Sequence, residues 1–222
     1  MLVTSRSAAE YHAMFDLAPE ELAGARVLDC CAGGSSFTAE TPTFVVAADP
    51  AYAAGRSVLA AAAHQGRVDG DRMIEDNADR FEWTWYGTRS RRTAMRVGAV
   101  ERFVADLGAR PSRYVAAALP DLPFADDSFD LVLCSHLLFT WANQFDQRWH
   151  RRAVLEMARV ARREVRVFPL VLQGTGEPVP FLPALCEELE AAGHRTEQRK
   201  VPYRFQRGAN HMLIVAGSSA RV

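Results

Sequence analysis

Residues 27–50 constrain this chain more than any other stretch. Residues 25–29 (ARVLD) form an apolar run closed by a carboxylate, and residues 30–36 (CCAGGSS) supply small side chains that let a backbone turn sharply and approach a ligand closely. Residues 44–48 (FVVAA) read as a second buried strand, ended by Asp49 and Pro50. Strand, glycine turn, short helix and acid-terminated strand make one βαβ unit. Asp49 stands about 20 residues after the turn begins, the spacing at which an acid meets a nucleoside ribose in such units. The unit predicts a nucleotide-shaped ligand on a doubly wound sheet.

Gly33 and Gly34 are too few for a G-x-G-x-x-G dinucleotide turn. The pattern resembles motif I of the class I S-adenosylmethionine-dependent methyltransferases, hydrophobic-hydrophobic-Asp-x-Gly-x-Gly-x-Gly. Val27, Leu28 and Asp29 match, Cys31 stands for the first glycine, Gly33 matches the second and Ser35 stands for the third. A second segment, residues 119–139 (LPDLPFADDSFDLVLCSHLLF), is similar to the family's L-P-F-x-D-x-S-F-D-x-V segment, which leads into its fourth strand. Two motifs in the family's order are far more specific than either alone.

The resemblance implies an α/β fold: a Rossmann-like, seven-stranded, mostly parallel sheet with an antiparallel last strand, in three α/β/α layers, with a helical insertion after strand 2. It also implies S-adenosyl-L-methionine as cofactor. The backbone at Cys31, Ala32, Gly33 and Gly34 would approach the donor's methionine part, Asp29 would support that loop, and Asp49 with Pro50 would meet the ribose. The family commonly places an acid after strand 3 for adenine. Ala118 stands there, so the Leu119 backbone takes that place, with Asp121 as a nearby polar candidate. Tyr11 shares a helix face with Met14 and Phe15, which either docks on the sheet or lets Tyr11 cover the donor.

At 222 residues and 49% hydrophobic, the chain can bury one sizeable core, so 1–222 is expected to be one domain, with N-terminal helices in 1–24 and a helical insertion over 53–110. A net charge of -1 gives no basic footprint for nucleic acid. The N-terminus lacks the apolar core of a signal peptide, and no long uncharged apolar stretch exists, so a cytoplasmic chain without a membrane span is expected. Cys30, Cys31, Cys134 and Cys186 show no metal spacing and read as free thiols.

Within the insertion, Gly66 and Gly70 are expected to break a helix in two. Residues 90–107 put Val97, Val100, Val104 and Leu107 on one stripe, leaving Arg89, Arg92, Arg96 and Arg102 as a solvated basic face or an anion site. Residues 81–86 (FEWTWY) carry four aromatics, which either plug the insertion onto the core or form a lid over the acceptor. On the lid reading Trp83 and Trp85 are the acceptor-site candidates.

Further strands are expected at 113–117, 129–134 and 164–171, helices at 147–162 and 180–193, and a closing hairpin over 195–205 and 211–216. Ser135 and His136 follow the fourth strand directly and should face the cleft. His136 is the candidate general base, because an imidazole can take a proton from a hydroxyl or amine near neutral pH. No Asn-Pro-Pro-Tyr or Asp-Pro-Pro-Tyr follows strand four, which argues against amino-methylation of bases or glutamine. The expected function is methyl transfer to an oxygen or nitrogen of a small-molecule acceptor. The alternatives are a non-catalytic donor-binding sensor or assembly protein and an NAD(P)-dependent oxidoreductase, against which stands the lack of a Tyr-x-x-x-Lys pair, Lys200 being the only lysine. Neither the acceptor nor the oligomeric state is legible in the sequence.

Overall fold

The computed structural model describes residues 3–217. Seven strands form one sheet in the order β3-β2-β1-β4-β5-β7-β6: β1 (Arg26–Cys30), β2 (Phe44–Ala48), β3 (Tyr114–Val115), β4 (Phe129–Ser135), β5 (Ala161–Phe168), β6 (Thr196–Lys200) and β7 (His211–Ala216). The first five are parallel, and β7 lies antiparallel between β5 and β6. A parallel strand covered on both faces must be apolar throughout. That is why FVVAA and LVLC lie at the centre of the sheet.

Side chains alternate across each strand. Leu28, Cys30, Val132 and Cys134 face a layer containing α6 (Gln147–Val160) and α7 (Leu182–Ala191), while Val27, Val45, Leu131 and Leu133 face α1 (Ala8–Phe15). Ser7 and Glu10 start α1 with a reciprocal capping box. Tyr11, Met14 and Phe15 from its inner face are all buried, each contributing about 1.5–3 kcal/mol by leaving water. A short α2 (Pro19–Leu22) begins on proline, where a missing N–H does no harm.

Between β2 and β3 stand α4 (Arg56–Asp76) and α5 (Arg89–Ala109), packed as a hairpin after a short α3 (Phe37–Glu40) precedes β2. The expected break at Gly66–Gly70 does not occur; α4 is continuous and ends before a 3-10 turn, Ala78–Arg80. Gly66 serves another purpose: a Cβ there would sit 2.2 Å from the Val3 carbonyl oxygen, so glycine lets the N-terminal segment lie directly on the helix. The solvated basic face also needs correction. Arg89 and Arg102 are exposed, but Arg92 and Arg96 belong to the buried face of α5 with Ala99, Val100, Phe103 and Leu107, while Val97 and Val104 flank it half-buried.

The aromatic segment docks on the residues before β7. Phe81 stacks on Phe205 at 4.7 Å, Trp83 meets the Phe205 ring edge-on at 5.4 Å, Trp85 packs on Tyr203 at 5.1 Å, and Tyr86 is fully buried. Glu82 N–H donates to the Phe205 carbonyl at 2.7 Å, fixing the two segments to each other. Further along, α6 runs directly into β5 at Ala161, earlier than the sequence pattern implies, and β5 stops before Pro169, which has no N–H to donate.

Candidate functional site

The glycine turn leaves β1 through two left-handed residues, Cys31 (φ 61°) and Gly33 (φ 57°). Glycine adopts this region freely, whereas a side chain there stores on the order of 1 kcal/mol or more of strain, so Cys31 occupies a position suited to glycine. Cys31 and Ala32 N–H groups both donate to the Ala48 carbonyl, at 2.7 and 3.2 Å, tying the turn to the end of β2. Asp49 completes that tie: its carboxylate accepts from Gly33 N–H at 3.0 Å and from Ala51 N–H at 2.9 Å. Residues 3–6 lie across the turn, where Gly34 N–H donates to the Thr4 carbonyl and Ser36 N–H to the Arg6 carbonyl, both at 2.9 Å.

Asp29 sits beneath the turn, fully buried, and accepts from the Tyr11 hydroxyl at 2.9 Å. Tyr11 stacks on Phe37 at 4.8 Å and does not line the cavity. Its role is therefore corrected from covering the donor to locking α1 onto β1. Burial, opposed by the Tyr11 hydroxyl and reinforced by the nearby charge of Asp49, pushes the Asp29 pKa up to about 8. The folded chain thus holds a proton that the unfolded chain releases near pH 4, so the contribution of Asp29 to stability is full below pH 4 and declines as pH rises towards 8. Asp29→Asn should flatten that decline, which amounts to at most about 1.4 kcal/mol per pH unit. Urea unfolding of both proteins at pH 5 and pH 8 measures it; parallel pH profiles would contradict the buried protonated acid.

A cavity of about 680 Å³ opens above the carboxyl ends of β1, β2 and β4, within the usual size of a small-ligand site. Its floor includes Cys31, Gly33, Asp49, Ser135 and His136, and its far wall carries Ile74, Phe81, Tyr203 and Phe205. The structure thus brings together five of the residues singled out from the sequence. It does not bring Ala32, Gly34, Pro50, Leu119, Trp83 or Trp85 to the cavity lining. Gly34 is covered by Val3 and Ser5, Leu119 joins the core under α6, and the two tryptophans serve the aromatic plug. Asp121 is exposed, 3.7 Å from Arg152.

His136 has φ 56° and is held by its N–H donating to the Phe168 carbonyl at 2.7 Å. Its Nδ1 lies 2.9 Å from Ser135 Oγ. Burial first, then the positive charges of Arg6 and Arg96, lower its pKa well below that of a free histidine, so the ring is neutral at pH 7. Sequence reasoning missed Arg6 as a cavity residue and reached Arg92 and Arg96 only through the anion-site alternative for the basic face. Arg92 pairs with Asp71 at 2.6 Å, and Arg96 pairs with buried Glu10 at 2.7 Å. Each partner lies far away in sequence, so no local signal marks it.

Among the described residues no group of His, Cys, Asp and Glu side chains is placed to hold a metal ion, and no helix is long and apolar enough to cross a membrane. The four cysteines are free thiols.

Residues 89–168, from the start of α5 to the end of β5, match a family model described as a methyltransferase domain. The match lies outside the glycine turn, where Cys31 and Ser35 depart from the motif. The sheet order β3-β2-β1-β4-β5-β7-β6, with β7 antiparallel, is that of a Rossmann-like methyltransferase fold. No curated protein matches the chain. Similar solved structures include magnesium protoporphyrin IX methyltransferase from Synechocystis with bound S-adenosylmethionine, at 13% identity over 95% of this chain and 81% of that one, with a TM-score of 0.49. A S-adenosylmethionine-dependent methyltransferase from Aquifex aeolicus is 15% identical over 93% of this chain and 90% of its own, with a TM-score of 0.44. The 1,6-didemethyltoxoflavin-N1-methyltransferase of Burkholderia thailandensis is 16% identical over 94% and 77%, with a TM-score of 0.46.

Proposed function

We propose that this chain transfers the methyl group of S-adenosylmethionine to an oxygen or nitrogen of a small-molecule acceptor. The observation that carries this reading is the single cavity joining the glycine turn, Asp49 and the Ser135–His136 pair. The site suits the donor, because Asp49 keeps acceptor capacity beyond its two backbone bonds. Asp49 would hold the ribose hydroxyls, and the Cys31–Gly33 backbone would border the methionine part. The donor supplies a methyl group already activated by the sulfonium charge, so the protein's task is to align an acceptor and exclude water. Burial under Phe81, Tyr203 and Phe205 serves the second purpose.

His136 is the residue placed to take a proton from the acceptor. Its Nδ1 faces Ser135 Oγ, which leaves Nε2 for an acceptor hydroxyl or amine. Because its pKa is depressed, the ring stays neutral on acidification below the range where a free histidine charges. Turnover is read as S-adenosylhomocysteine release across a panel of phenols, amines and carboxylic acids. His136→Ala should lower kcat about 100-fold or more while leaving donor affinity near the wild-type value. Equal turnover in the variant would remove His136 from the chemistry.

A non-catalytic donor-binding role has one observation in its favour, the Gly34 N–H already engaged by Thr4. Donor binding without turnover on any acceptor would support it. The antiparallel β7 between β5 and β6 differs from the all-parallel order of dinucleotide-dependent oxidoreductases and speaks against that class.

A further inference from the structure

We infer that Arg6 is a carboxylate anchor in the cavity, placed to bind either the donor's methionine carboxylate or a carboxylate on the acceptor. The inference deepens the proposed function and rests on the same cavity.

Four cavity arginines are partly or wholly withdrawn from water, and they differ in how their charge is met; Arg67 pairs with Asp71 at 2.8 Å. Arg92 has Asp71 and Arg96 has Glu10. Arg6 has no carboxylate of the described residues within ion-pair distance. Its side chain donates one hydrogen bond, from Nη1 to Thr4 Oγ1 at 3.1 Å, and its Nε is buried with no partner. A guanidinium presents five donors in a planar fork that fits a carboxylate with two parallel bonds, so one neutral hydroxyl leaves most of that capacity unused.

The position of Arg6 is fixed from the backbone. Its carbonyl accepts from Ser36 N–H at 2.9 Å and from Ser36 Oγ at 3.3 Å, which ties it to the end of the glycine turn. The next residue, Ser7, caps α1. The Arg6 backbone is therefore held in the cavity lining with Gly33 and His136, and Thr4 Oγ1 holds one end of the fork, which reduces the ordering a bound carboxylate requires. Burial, then the neighbouring charge of Arg96, lowers the Arg6 pKa, while Glu10 among others opposes that drop. An incoming carboxylate would supply the counter-charge that the fold withholds.

Wild type, Arg6→Gln and Arg6→Lys are titrated calorimetrically with S-adenosylhomocysteine and with 5′-methylthioadenosine, which keeps the adenosine and lacks the amino-acid part. Benzoate binding is followed by ligand-observed NMR, and thermal melting confirms folding. If the donor carries the carboxylate, Arg6→Gln should weaken S-adenosylhomocysteine binding about 10-fold or more, leave methylthioadenosine unchanged, and be partly restored in Arg6→Lys. If the acceptor carries it, S-adenosylhomocysteine affinity is unchanged and saturable benzoate binding disappears in Arg6→Gln. Unchanged affinity for both S-adenosylhomocysteine and benzoate would overturn the inference. Failure of both adenosyl compounds to bind wild type would instead remove the donor reading, leaving the Arg6 anchor to stand or fall on benzoate.

Discussion

Glu10→Ala should lower the midpoint of thermal unfolding by about 10 °C, the largest effect expected of any single side chain in this fold. Glu10 is fully buried on α1, 2.7 Å from Arg96 on α5. One of its oxygens also accepts from the Tyr86 hydroxyl, and the other accepts from Ser7 N–H at 2.8 Å. Tyr86 in turn bonds the Tyr203 hydroxyl at 2.8 Å, and Arg96 donates to the Ser5 carbonyl. The start of α1, Tyr86 and α5 thus meet at one carboxylate, with Tyr203 joined through Tyr86. Burial alone would push the Glu10 pKa up, but Arg96, Tyr86 and the Ser7 amide outweigh it and hold the carboxylate below its ordinary range.

Removing one partner of such a pair leaves an uncompensated charge in a dry site, which typically costs about 3–5 kcal/mol. Glu10→Gln keeps an acceptor for Tyr86 and removes only the charge, so its loss should be smaller. A midpoint shift under about 2 °C for Glu10→Ala would mean that the network does not hold the wall of the cavity in place.

Asp49→Ala should raise the Kd for S-adenosylhomocysteine by roughly 30- to 700-fold, as expected for losing about 2–4 kcal/mol of charge-assisted hydrogen bonding. The residue acts twice. Its carboxylate is the acid at the end of β2 in the cavity floor, and it also fixes the glycine turn through Gly33 N–H at 3.0 Å. Burial raises its pKa, opposed by the Ala51 and Gly33 amides, so those two bonds help keep it ionised. Asp49→Asn retains one oxygen and should fall between wild type and Ala. Calorimetry separates these outcomes, and an unchanged Kd in Asp49→Ala would remove the acid from the donor site.

The central strands and Asp49 were legible because buried parallel strands are continuous apolar runs, a pattern that survives without knowledge of neighbours. The seven-stranded, mostly parallel sheet with its antiparallel last strand followed from the family resemblance, and the structure bears it out. The insertion was read less well. Two glycines in α4 disfavour a helix by about 1 kcal/mol each, but Gly66 is needed where Val3 crosses the helix, and packing overrides local preference. Arg92 and Arg96 were left between a solvated face and an anion site because their partners, Asp71 and Glu10, come from other helices. Arg6 carried no signal at all. Only the fold sets it beside the glycine turn and leaves it without an acid.

The most direct test of the account is calorimetric titration of the wild-type protein with S-adenosylhomocysteine, with NADH in parallel. The account predicts saturable binding of S-adenosylhomocysteine with a Kd of about 10 µM or tighter, and no heat from NADH beyond dilution. No binding of S-adenosylhomocysteine, or saturable binding of NADH in its place, would contradict it.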